Sequence, residues 1–163
     1  MPKNKRGFSL VETMVVVLII AILATIATVF LGNVRARAND SKRKAELAQV
    51  GKFLTGNCYL QNAGAGAYDL IDLFNELKAQ DEKYQSLNIS QWHDPKSGTA
   101  EKSNYIYLVT ADNKCVLYAN LENDGEPVTL FDINTPTPGG GNGVFASTTK
   151  GFNGGLKYFQ VSN

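Results

Sequence analysis

"KRGFSLVETMVVVLIIAILATIATVF", residues 5–30, decides how the rest of the chain is read. It opens with positive charge, and from Phe8 to Leu31 it runs 24 residues with Glu12 as the one ionisable side chain. At about 1.5 Å per residue, roughly 20 apolar residues cross a hydrocarbon core, so this stretch is long enough to span a bilayer with some tilt. Lys3, Lys5 and Arg6 stand directly before it. The positive-inside rule therefore predicts a single-pass precursor in the cytoplasmic membrane, with its N-terminus inside and the rest outside. Arg35 and Arg37 beyond the run weaken that vote without reversing it. A secretory signal peptide is the competing reading, and three features weigh against it. The run exceeds the roughly 7 to 15 apolar residues of such a segment, it contains a charge, and Ala36-Arg37-Ala38, the A-x-A near its end, falls in a continuing helical pattern.

Glu12 needs an explanation of its own. A carboxylate at the centre of a membrane helix costs about 2.5 to 3.5 kcal/mol, less near an end, and such groups are usually paired. One reading is that Glu12 sits near the interface and snorkels to water. The other comes from the surrounding residues. Lys5-Arg6-Gly7-Phe8-Ser9-Leu10-Val11-Glu12 resembles the leader of type IV prepilins and type II secretion pseudopilins: a short basic peptide ending in Gly before Phe, with Glu five residues into the mature chain. The resemblance implies that a prepilin peptidase cuts between Gly7 and Phe8 and N-methylates Phe8. It also implies that the new amine at Phe8 pairs with Glu12 of a neighbouring copy, so that the charge tolerated in lipid favours polymer over monomer. Many members of that family carry Gly and then Pro at the positions of Ala21 and Val29. Neither is present here, which removes the local cause of a kink and predicts a more continuous helix.

The charge is unevenly distributed although the net charge is only +1. Residues 1–60 carry nine Lys/Arg against three Asp/Glu, whereas residues 61–163 carry seven against twelve. The expected organisation is a leader at 1–7, a transmembrane and assembly helix at 8–31, a soluble half of the same helix at 32–60, and a globular head at 61–163. Ala, Arg, Lys, Glu and Leu dominate "GNVRARANDSKRKAELAQVGKFLTGNCYLQN" and favour continued helix. Val34, Ala38, Ala45, Leu47, Val50, Leu54 and Cys58 recur at three- and four-residue intervals and are expected to form its packing face. Arg35, Arg37, Lys42, Arg43, Lys44 and Lys52 are read as a solvated basic face that meets acidic heads in a filament. No aromatic residues interleave with them as a single-strand binding groove would need, so nucleic acid is not indicated.

"NAGAGAYD" reads as a flexible joint, and "DLIDLFNELKAQ" as a short helix with Leu70, Leu73, Phe74 and Leu77 on one face. "NYIYLVT" and "CVLYANL" are β-rich runs joined by Ala111-Asp112-Asn113-Lys114, the pattern of an antiparallel hairpin. Cys115, Leu117, Ala119 and Leu121 alternate onto one face. If that face meets the long helix, Cys58 and Cys115 can approach, and a location outside the cytoplasm would preserve a disulfide between them. "VTLFDI" and "LKYFQV" are expected as third and fourth strands, with "TPTPGGGNGVFASTTKGFNGG" an exposed loop between them. The sum resembles the pilin fold: an α+β head in which a long N-terminal helix packs on a small antiparallel sheet.

Catalytic chemistry is not evident. His93 stands in "WHDP" with no second histidine, which fits a turn or surface residue better than a catalyst, and no enzyme is inferred. "LENDGEP" offers Glu122, Asp124 and Glu126 around a glycine as weak calcium candidates. Their spacing is not that of an EF-hand, a polar turn would look the same, and no cofactor is expected. The functional expectation is a structural subunit of a type IV pilus-like surface filament whose partners are other copies of itself, the prepilin peptidase, the membrane, and pilus or type II secretion assembly machinery. A pseudopilin, a DNA-uptake pilin and a non-polymerising anchored or secreted binding module remain as alternatives.

Overall fold

The computed structural model describes residues 9–85 and 91–163, and the chain divides into two compact units, Met1–Arg35 and Ala36–Asn163. Helix α1, Leu10–Gly56, is assigned without a break across 47 residues. Its sequence supplies the reason: the apolar run gives way to Ala, Lys, Arg, Glu and Leu with no proline inside, and Gly32 costs only about 1 kcal/mol relative to Ala. The hydroxyls of Thr13, Thr25 and Thr28 donate to the carbonyls of Leu10, Ile22 and Thr25, which satisfies them within the helix.

In the second unit the chain forms strand β1 (Gly66–Asp69), helix α2 (Leu70–Gln80), and strands β2 (Ile106–Val109), β3 (Cys115–Asn120), β4 (Gly143–Ala146) and β5 (Lys157–Ser162). The five strands make one antiparallel sheet in the order β1-β2-β3-β5-β4. The β2–β3 hairpin pairs Ile106 with Tyr118 and Val109 with Cys115, and it turns through Asn113 at φ 58°, a left-handed position that Asn tolerates. Asp69 ends β1 and caps α2: its Oδ1 accepts from the Ile71 amide at 3.0 Å and from the Ser103 amide and hydroxyl, while Oδ2 accepts from the Asn104 amide. The core gathers Leu47, Val50 and Leu54 of α1, Leu70, Leu73, Phe74 and Leu77 of α2, and Tyr107, Leu117, Ala119 and Val161 of the sheet. Helix and sheet approach closely at Gly51, where an added Cβ would lie 2.6 Å from the Val161 side chain.

Four expectations need correction. The packing face of α1 keeps the expected Leu47, Val50 and Leu54 but is completed by Asp40 and Arg43, all buried. Val34 is 45% exposed, and Ala38 and Ala45 are exposed as well. Arg43 therefore belongs to the interior and not to the solvated basic face, because carboxylates from the head surround it. "NAGAGAYD" is not merely a joint: its second half is β1, held by pairing with β2 from Gly66 to Asp69. "VTLFDI" is not a strand. The amides of Thr129 and Leu130 both donate to one carbonyl, that of Val144, so no ladder develops. The third strand of the expected order instead lies inside the Gly/Pro-rich segment as β4, where Val144 and Phe145 are buried and pair with β5. Local composition argued for loop there, but the edge of β5 supplied the partner.

Candidate assembly site and buried charge cluster

Glu12 lies in the first turn of α1, where a carboxylate interacts favourably with the helix dipole. Its side chain is exposed, and among the described residues it makes no hydrogen bond or ion pair. Apolar side chains around and after it, among them Leu10, Val11, Met14, Leu18, Ile26 and Leu31, are likewise exposed. An 18-residue window of α1 reaches a mean hydropathy of 3.0, with none of it buried inside the chain. Gly7 and Phe8, the expected cleavage and methylation positions, lie outside the described residues.

The head shows the opposite arrangement. Arg43 is fully buried, and its guanidinium grips Asp94 through two bonds, Nε to Oδ2 at 2.7 Å and Nη2 to Oδ1 at 2.9 Å. Nη1 donates to Asp40 at 2.6 Å and Nη2 to Glu122 at 2.8 Å. One cation thus faces three carboxylates, and the surplus negative charge is met by further donors. The Glu122 and Asn123 amides bond Asp40, and the Lys96 and Ser97 amides with Asn153 Nδ2 bond Asp94. Asn39 Nδ2 and Lys96 Nζ reach Glu122. Burial by itself would raise the Asp94 carboxyl, but the Arg43 guanidinium and these amides hold it down to about 2. Burial likewise opposes the charge of Arg43, yet its carboxylate partners hold its pKa above the ordinary value. Beside the cluster, burial together with the Glu46 carboxylate, 2.6 Å away, raises the pKa of the Tyr105 hydroxyl. This arrangement ties α1 to the 94–97 turn and to the 121–126 loop.

Sequence reasoning missed Arg43, Asp40 and Asp94. The signal was present in the spacing: residues 40, 43, 47, 50 and 54 alternate steps of three and four, which puts both charges on the stripe that carries the three buried apolar residues. In "WHDP" it is Asp94, the neighbour of His93, that holds the buried position. His93 is half-buried, and its carbonyl accepts from the Tyr105 hydroxyl.

Cys58 and Cys115 form a disulfide with Cα atoms 5.6 Å apart, joining the chain just beyond α1 to the start of β3. The calcium candidates are each engaged by groups of the protein itself. Glu122 meets Arg43 and Lys96, Asp124 accepts from the Leu156 amide at 2.6 Å, and Glu126 pairs with Lys44. Among the described residues no cluster of three His, Cys, Asp or Glu is placed to hold a metal ion.

Residues 2–28 match the family described as the prokaryotic N-terminal methylation motif. No curated protein and no solved structure matches the chain. The motif implies processing by a prepilin peptidase, and it marks a structural class of membrane-anchored proteins that assemble into pilus-like filaments. The chain therefore joins the prepilin signal of type IV pilins and pseudopilins to an α+β, pilin-like architecture of one long N-terminal helix and a small antiparallel sheet.

Proposed function

We propose that this chain is a structural subunit of a type IV pilus-like surface filament. The observation that supports it best is a methylation motif running directly into an apolar helix that the chain does not cover. The precursor is held in the cytoplasmic membrane by α1, and cleavage between Gly7 and Phe8 frees the Phe8 amine for methylation. Glu12 of one copy then pairs with that amine on its neighbour. The pairing compensates the cost of a carboxylate in an apolar surround, so it sets the axial register of the helices as well as favouring assembly. Apolar helices bundle at the filament centre, and the heads form its outer coat.

N-terminal sequencing and mass analysis of the mature chain are expected to find methylated phenylalanine at position 8, and sheared surface fibres are expected to contain this polypeptide. Glu12→Gln is expected to leave that processing intact while reducing fibre yield by roughly tenfold or more. A mature end near Asn39, or fibres of normal abundance from the Gln variant, would overturn the assignment.

A further inference from the structure

Two features on the surface of the head are left without partners among the described residues, and they complement each other. The first is a tip beside the edge strand β4. Phe131 is 81% exposed, and Asp132 next to it is exposed and, among the described residues, unpaired. The tip is anchored: the Thr129 and Leu130 amides donate to the Val144 carbonyl at 2.8 and 2.9 Å, and the Val144 amide donates to Thr129 Oγ1 at 2.8 Å. Gly143, at φ 155°, permits this approach, since a Cβ there would overlap Thr129 Oγ1. The chain thus presents a bare phenyl ring and a carboxylate on a braced loop.

The second feature is a groove of about 550 Å³ on the sheet face turned away from the core, over β2, β3 and β5. Ile106, Tyr118 and Tyr158 line it, the two tyrosine rings lying 6.3 Å apart and tilted by 56°. Its rim carries Lys150, exposed and unpaired among the described residues, and Phe152, which is 60% exposed. An aromatic floor with one free ammonium is suited to an aromatic side chain that carries a neighbouring carboxylate.

We propose that the Phe131-Asp132 tip of one copy docks in the Tyr118-Tyr158-Lys150 groove of the next. This rests on the filament reading above and adds a head-to-head contact to it. Tip and groove are different surfaces of the head, one beside the β4 edge and the other over β2, β3 and β5, so the contact is heterologous. Repetition of a heterologous contact that does not close generates an open helical array, the symmetry a filament needs. The phenyl ring supplies the buried anchor, and the Asp132–Lys150 pair supplies orientation.

The test uses full-length chain assembled into fibres on cells. The two native cysteines are both consumed by the disulfide, so new thiols report alone. Mild oxidation of fibres carrying both Asn134→Cys, beside the tip, and Thr149→Cys, beside the groove rim, both exposed, is expected to give a multimer ladder on a non-reducing gel, whereas either single variant stays monomeric. Fibres of the double variant that give no ladder overturn the docking and leave the filament reading standing. Absence of fibres from the unaltered chain overturns the filament reading itself. Independently, Asp132→Lys and Lys150→Asp are each expected to lower fibre yield by roughly tenfold, and combining them is expected to restore it. Unchanged yield in the single variants, or no recovery in the pair, overturns the docking.

Discussion

The N-terminal half of α1 and the head treat the same side chains in opposite ways. Leu18 is 61% exposed and Leu47 is fully buried, although both lie on one helix and have the same transfer free energy. The reversal extends to charge. Glu12 stands uncovered in the apolar segment, whereas Arg43 is sealed inside the head with Asp40 and Asp94. The head meets its requirements internally: apolar groups find one another, and the buried cation finds three carboxylates. The N-terminal segment cannot do so, and its exposed leucines, isoleucines and valines call for lipid or other copies of the same helix. The first region is written for partners, the interior of the second for itself.

The largest effect is expected at Arg43, on which the interior of the head depends. Arg43→Met would strand Asp40 and Asp94 in the interior, and a loss of about 3 to 5 kcal/mol is expected in denaturant unfolding of the detergent-solubilised chain. Arg43→Lys should recover part of this, since an ammonium keeps the charge but not the two-point grip on Asp94. Next in size is the disulfide, whose closure of a 57-residue separation is worth about 4 kcal/mol. Replacing Cys58 and Cys115 together by Ala is expected to lower the melting temperature accordingly, and a reductant should reproduce that effect in the unaltered chain alone.

A matched pair of truncations sharpens the contrast. Leu47→Ala is expected to cost the head about 2 to 5 kcal/mol, because its side chain is enclosed in the core. Leu18→Ala should leave head unfolding unchanged and alter only membrane retention or fibre yield. Equal effects on head stability would mean that the two regions do not differ as described. The smallest effect is that of acid. Against the effect of burial, the Arg43 guanidinium and the backbone amides hold the Asp94 carboxyl down to about 2, below its ordinary value of 3.8, so the stability it contributes is fully present only above about pH 5 and is lost as pH falls through about 2. Asp94→Asn is expected to flatten that limb of the pH–stability curve.

Much of this arrangement was legible in the residues. A long apolar run announces itself through length and composition, and the β2–β3 hairpin through two β-rich runs around a short polar turn. The helix periodicity was legible too at Leu47, Val50 and Leu54, which are buried as expected, but not in the turns before them. Small alanines and Val34 look like packing residues by hydropathy, while Asp40 and Arg43 look like surface, so hydropathy alone extends the stripe from Leu47 toward the N-terminus through the wrong residues. β1 and β4 were obscured for a related reason. Glycine-rich segments have weak strand propensity, and what makes them strands is pairing to the edges of β2 and β5.

The sequence by itself determined the membrane-grade helix, the charge at its start, the processing motif and the α+β class, because each depends on a local pattern complete within a few turns of chain. Tertiary structure alone decided which charges lie inside. Arg43 is buried only because Asp94 and Glu122, 51 and 79 residues away, arrive with their carboxylates aligned to it. Without them the desolvation of a guanidinium would forbid the position. Hydropathy is a property of a residue, but the compensation of a buried charge is a property of the fold.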